Sequence, residues 1–207
     1  ENINLNIAKE GKMAILFSDI RSFTAISERL TPQETLILLN KHFTLFNEIV
    51  DKNNGFVDKY IGDEIMALFG NKDEKLSVTA FNAISSAIQM QESLKLQSSK
   101  KLSVKLDVGI GIHIGKIIIG TVGSEDRMDS TVVGDAVNIS SRLQELTKKY
   151  NSKIIISGAT WRILDKKKHN FLGREIDKIH LRGSSKPIRL IEIYNSEDQN
   201  SIDYKQK

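Results

Sequence analysis

Residues 56–69 read FVDKYIGDEIMALF, and their reading decides the fold. Phe56, Tyr60, Ile61, Ile65, Ala67 and Phe69 supply the aromatic, β-branched and small apolar content of two short strands, and Gly62-Asp63 breaks the run. A hairpin follows, with an acid at its tip. Such an acid is usually a turn former and nothing more. A second carboxylate changes that. Asp19 follows the apolar run from Met13 to Phe17 in AILFSDI, so Asp19 ends a strand where Asp63 begins one.

The intervening segments say how those strand ends are placed. Thr31-Pro32-Gln33-Glu34 is a helix start with an N-cap, a proline in the first turn and a capping-box acid. Ser22 to Leu30 reads as a short helix before it. Leu36, Leu39, Phe43, Phe46 and Val50 recur at helical spacing, and Asn53-Asn54-Gly55 stops that helix with a left-handed cap. Ser77 to Leu96 is a second amphipathic helix, with Val78, Phe81, Ile84, Ile88 and Leu94 inward. Leu106 to His113 and Lys116 to Val122 read as strands with Gly115 between them. Ser124 to Ser130 is a charged excursion before a helix starting near Asp135. Ile154 to Ile156 and Ile188 to Ile193 are further strands, and Ser157 caps a short helix.

This order predicts an α+β chain. Its core is a ferredoxin-like βαββαβ sheet with helices packed on it, followed by a small C-terminal α/β subdomain. Residues 1–12 are a polar lead-in, 13–194 the folded domain, and 195–207 a polar tail that frays. In the ferredoxin-like topology the third strand lies antiparallel beside the first, so Asp19 and Asp63 meet.

Composition narrows the function. With 207 residues, 40% apolar and 27% charged, the chain can bury a sizeable core. The net charge of +4 is spread out, apart from Lys166-Lys167-Lys168, and suits an anionic small substrate rather than nucleic acid. The absence of cysteine excludes disulfides and thiolate chemistry and fits a reducing, cytoplasmic compartment. No apolar run reaches the ~20 residues of a membrane span, and no signal peptide is visible. The start at Glu1, without an initiator Met, reads as a piece of a longer protein with a regulatory or sensor region upstream.

Two converging carboxylates suit Mg²⁺ or Mn²⁺, which take oxygen ligands and complete their shells with water and phosphate. The backbone carbonyl of Ile20 is a further candidate ligand. The competing reading gives Asp19 a helix cap and Asp63 a turn. In GDAVNISSRLQEL, Ala136, Ile139, Leu143, Leu146 and Tyr150 form a buried stripe. Asn138 and Arg142, four apart on its flank, can grip a ribose and a phosphate, although a solvated polar face is the commoner fate of such a pair. Gly109, Gly111 and Gly115 miss the dinucleotide fingerprint spacing and read as strand and turn glycines. His113 reads as structural; Met13, Met66, Met90 and Trp161 as core or surface.

The segments FSDIRSFT, FVDKYIGDEIMALFG and TVVGDAVNISSRLQ resemble, in order and spacing, the class III nucleotide cyclases. The resemblance runs from about Ala14 to Ile193 and ends in LRGSSKPIRLIEIY. It implies that Asp19 and Asp63 bind two divalent metal ions, that Lys59 and Thr131 select the base, that Asn138 orients the ribose and that Arg142 stabilises the transition state. The reaction it implies is attack of the ribose 3′-oxygen on the α-phosphorus of ATP, giving cyclic AMP and pyrophosphate. Thr131 departs from the Asp of the animal enzymes and is similar to the bacterial subgroup, whose bicarbonate response stays open here. The resemblance also implies a homodimer with sites at the subunit interface. Alternatives are a guanylate cyclase, a different two-carboxylate enzyme such as a diguanylate cyclase or polymerase, and a nucleotide-binding regulatory module without turnover. The third lacks its own loop or groove, and the intact polar set argues against the fourth.

Overall fold

The structure is a computed structural model that describes residues 9–98, 104–124, 127–165, 169–181 and 186–206. In chain order the elements are β1 (Lys9–Ile20), α1 (Phe23–Ser27), α2 (Pro32–Lys52), β2 (Gly55–Ile61), β3 (Glu64–Phe69), α3 (Leu76–Ser98), β4 (Val108–Ser124), β5 (Arg127–Val133), α4 (Asp135–Lys149), β6 (Ile154–Ser157), α5 (Gly158–Ile163), β7 (Gly173–Ile179), β8 (Ile188–Ile193) and α6 (Gln199–Gln206). One sheet runs β2-β3-β1-β4-β6-β8-β7, with β5 paired to β4. Its first four strands have the ferredoxin-like order, with β1 antiparallel to both β3 and β4. The expected α+β fold is therefore present. The C-terminal strands continue the same sheet, because β6 joins β4 in parallel through Ile110–Ile112 and Ile154–Ile156.

Alternation along β1 sorts the core. Ala14, Leu16 and Ile20 face α2 and α3 and pack with Phe46, Ile84 and Met90. Met13, Ile15 and Phe17 face the other way and pack with Met66, Leu68, Ile117, Val132 and Ala136. Burying each large apolar side chain contributes about 1.5–3 kcal/mol. Asp19 continues the second set, at the end of the row. The capping box at Thr31 and Glu34 is formed, with Pro32 in the first turn, and Asn54 takes the left-handed conformation after α2 (φ 57°).

Several expectations are corrected. The strand begins at Lys9, inside the segment read as lead-in. Ser22 to Leu30 is helical only over Phe23–Ser27. Leu36 is 60% exposed, Val78 43% and Phe81 39%, so the apolar stripes of α2 and α3 are only partly covered in their first two turns. Gly115 makes no turn: β4 runs unbroken through it, pairing with β1 from Ile20 to Lys9. The charged excursion is the tip of the β4–β5 hairpin, with Ser124 opposite Arg127; Glu125 and Asp126 lie outside the described residues. The polar C-terminal tail carries α6, whose Lys205 pairs with the buried Glu192 and with Glu197. The Lys166–Lys168 cluster lies outside the described residues.

Candidate active site

Asp19 closes β1, and β3 opens at Glu64 directly after the Gly62-Asp63 turn, where Gly62 supplies a φ of 65°. Ser18 pairs with Ile65, which sets the end of β1 beside the start of β3. The Asp19 and Asp63 side chains come within hydrogen-bonding reach of each other. Burial, then the Asp63 charge, pushes the Asp19 carboxyl up to about 6, against donors from Gln144 and the Ile20 N–H. Glu64 stands in the same cluster. Burial, then the charges of Asp19, Asp63 and Glu145, pushes it up to about 7. Ile20 sends its side chain into the opposite core, 2% exposed.

Carboxylates in contact need a proton or a cation between them. Among the described residues no three His, Cys, Asp or Glu side chains form a ready-made metal cage. A cluster short of positive charge, without a complete protein cage, fits an ion that keeps waters and substrate phosphates in its shell.

Lys59 pairs with Met66 beside a bulge in β2, and its ammonium lies 3.3 Å from the Asp58 carboxylate. Thr131 lies opposite Gly120 and is half-buried. Val132, next to Thr131, packs in the same cluster as Met66, so β5 bends back over the face that carries Lys59's ladder partner.

Helix α4 has Ala136, Ile139, Ser140, Leu143, Gln144 and Thr147 buried against the sheet. Asn138 is exposed and Arg142 half-buried. Two residues along a helix is a rotation of about 200°. Gln144 therefore reaches Asp19 from one flank of α4 while Arg142 leaves by the other. Within one chain the fold joins Asp19 to Asp63 and turns Asn138 and Arg142 away from them.

Reading the sequence alone passed over Glu64 and Gln144. Their signals were positional: Glu64 precedes Met66 by two, as Asp19 follows Phe17 by two, and Gln144 is a polar residue in an apolar stripe. His113 is a packed residue. Its Nδ1 lies 2.7 Å from Ser157 Oγ, and burial holds its pKa down at about 4, although Asp135 pulls the other way.

A ferredoxin-like sheet with paired acids at one end, flanked by a helix bearing an amide and a guanidinium, defines the class III type of nucleotide cyclase domain. Comparison with known proteins agrees. The sequence pattern of the family described as "Adenylate and Guanylate cyclase catalytic domain" matches residues 5–194. The chain is 40% identical over 203 residues to "Adenylate cyclase" of Anabaena cylindrica, covering 93% of this chain and 39% of that protein. It is 36% identical over 208 residues to "Adenylate cyclase, terminal-differentiation specific" of Dictyostelium discoideum, covering all of this chain and 10% of that protein. The chain thus spans well under half the length of these two relatives. Among solved structures, the adenylyl cyclase CyaB from P. aeruginosa superposes with a TM-score of 0.78 at 29% identity, covering 92% of this chain and 97% of that one. The guanylyl cyclase Cya2 superposes at 0.76 and 28% identity, covering 93% and 96%. The chain belongs to the adenylate and guanylate cyclase catalytic-domain family. Among its described residues no helix is long and apolar enough to cross a membrane.

Proposed function

We propose that this domain is an adenylate cyclase, converting ATP to 3′,5′-cyclic AMP and pyrophosphate. The contact between Asp19 and Asp63 at the β1–β3 end carries this reading, because it is where cations and a triphosphate would meet. Asp19, Asp63 and the Ile20 carbonyl would hold the ions. Two Mg²⁺ or Mn²⁺ bound there would favour the ribose 3′-alkoxide and offset triphosphate charge. The 3′-oxygen bonds to the α-phosphorus as the bond from that phosphorus to the bridging oxygen of the β-phosphate breaks; pyrophosphate leaves and the hydroxyl proton passes to water. Arg142 would offset charge building on the α-phosphoryl oxygens, and Asn138 would orient the ribose.

Lys59 and Thr131 support ATP over GTP. A lysine only donates, so Lys59 can serve adenine N1 but not the N1–H of guanine, and the Thr131 hydroxyl can accept from the 6-amino group. A homodimer would bring Lys59, Thr131, Asn138 and Arg142 of one chain to the aspartates of the other. Use of ATP fits a domain in the cytoplasm, or on the cytoplasmic side of a membrane-tethered parent with an upstream regulatory or sensor region.

The second reading is a guanylate cyclase, favoured by the close superposition on Cya2. Incubation with ATP or GTP plus Mn²⁺, followed by product chromatography, decides. Cyclic AMP with little cyclic GMP is expected. Equal turnover of the two refutes the base assignment, and no product from either favours a nucleotide-binding module without turnover.

A further inference from the structure

Gln144 is 7% exposed and sits where α4 presses hardest on the sheet. A Cβ on Gly111 would lie 2.2 Å from the Gln144 backbone nitrogen and 2.5 Å from the Ser140 carbonyl oxygen. A Cβ on Gly109 would lie 2.1 Å from Thr147 Oγ1 and 3.4 Å from Gln144 Nε2. These two glycines form a track that α4 enters almost to backbone contact. Ser140 pins it there, donating to the Ile15 carbonyl oxygen at 2.6 Å, and Thr147 Oγ1 donates to the Gln144 carbonyl oxygen at 2.6 Å. Gly109 is the register partner of Asp19. The space a side chain at 109 would fill is taken first by Thr147 Oγ1, and the Gln144 amide nitrogen stands at its edge, on the face of the sheet that carries Asp19 and within hydrogen-bonding reach of that carboxylate.

We propose that Gln144 is a positioning residue that holds the Asp19 carboxylate in its cation-binding orientation. This rests on the reading above that Asp19 binds a divalent metal. An ionised carboxylate only accepts, so the amide presents its N–H₂ to it. That bond occupies one lone-pair direction and leaves the others for an ion. Being neutral, the amide restricts the carboxylate without cancelling its charge or repelling a cation, as a lysine or arginine in this place would. Partners that orient a metal-binding carboxylate typically change metal affinity or activity by about 10–100-fold when lost.

The test is Mn²⁺ affinity by electron paramagnetic resonance, with a non-cyclisable α,β-methylene ATP analogue present. Gln144→Met keeps the length and removes the donor; it should bind Mn²⁺ about tenfold more weakly. Gln144→Asn keeps the amide but retracts it, and should show the same loss if the Met variant does not fold. Thr147→Val alters the same tight contact without touching Asp19. It should lower the melting temperature and leave Mn²⁺ affinity unchanged. Wild-type affinity in Gln144→Met, or an equal loss in Thr147→Val, overturns the proposal. Asp19→Ala in the same assay separates the two levels. If it leaves Mn²⁺ affinity intact, the metal reading falls and this inference with it; if it abolishes binding while Gln144→Met does not, only the role of Gln144 falls.

Discussion

At the scale of single residues, the acid pair is the feature most exposed to test. Asp19→Asn keeps the shape and removes a charge from a crowded cluster. Cyclisation should fall to background, while the melting temperature stays level or rises, since a like-charge contact is relieved. A variant that keeps near-normal turnover would sink the assignment. Arg142→Ala should cost about 10²–10³-fold in kcat, the usual loss when a positioned charge-stabilising donor is removed. Lys59→Glu combined with Thr131→Cys should move preference toward GTP, read as the ratio of kcat/KM for the two nucleotides. The pairing of Asp19 with Asp63 was legible in the sequence because topology alone sets the end of β1 beside the start of β3. Glu64 and Gln144 were not. Glu64 shares a face with Met66 by strand alternation, a signal that spacing carries but that names no partner, and Gln144 joins through the depth to which α4 sinks, which residue spacing does not encode.

At the scale of elements, periodicity gave the angular position of each buried stripe but not its length. Leu36, Val78 and Phe81 lie in the first two turns of their helices and stay partly exposed, Phe81 although its ring packs against Phe171, while Phe46, Val50, Ile84 and Met90 farther along are buried. The spacing of the glycines in GIGIHIG suggests strand and turn roles, whereas the fold uses Gly109 and Gly111 for clearance under α4. Gly111→Ala puts a methyl into the backbone of α4 and should destabilise by about 3 kcal/mol, at the upper end of overpacking costs, measured by urea unfolding. Helix α2 carries a further liability. His42 is buried against Phe46, with ring centroids 4.1 Å apart, and neither ring nitrogen has a hydrogen-bond partner among the described residues. Burial lowers its pKa from 6.5 to about 4. Above pH 6.5 the ring is neutral in both states and contributes no pH dependence. As pH falls from 6.5 toward 4 only the unfolded chain takes the proton, so stability drops, by about 3 kcal/mol at full extent. His113 acts in the same window. Asp19 and Glu64, raised by burial, act in the opposite sense over this range. His42→Phe should therefore shift the balance toward stability at acid pH, raising the melting temperature at pH 4 relative to that at pH 7 compared with the unaltered chain; an unchanged pH profile would show that His42 finds a partner on folding.

At the scale of the whole molecule, the arrangement of α4 decides how many chains make a site. The helix touches its own Asp19 through Gln144 and sends Asn138 and Arg142 off in other directions. Rotating α4 to bring Arg142 onto Asp19 would pull Ser140 from the Ile15 carbonyl oxygen and drive the helix against Gly109 and Gly111. The guanidinium that meets the substrate at Asp19 should then come from a second copy, and a two-fold axis would generate two equivalent sites. Asp19→Ala and Arg142→Ala should each be inactive, or nearly so, as homodimers. Mixed, they form heterodimers in which one site carries both lesions and the other carries none. With statistical mixing about half the dimers are mixed and each has one good site of two, so activity should return to about a quarter of wild type. The measurement is cyclic AMP formation after subunit exchange, with exchange itself verified by differently tagged chains. No recovery in a sample shown to contain heterodimers would mean that each site is built within one chain, and that α4 must move to build it.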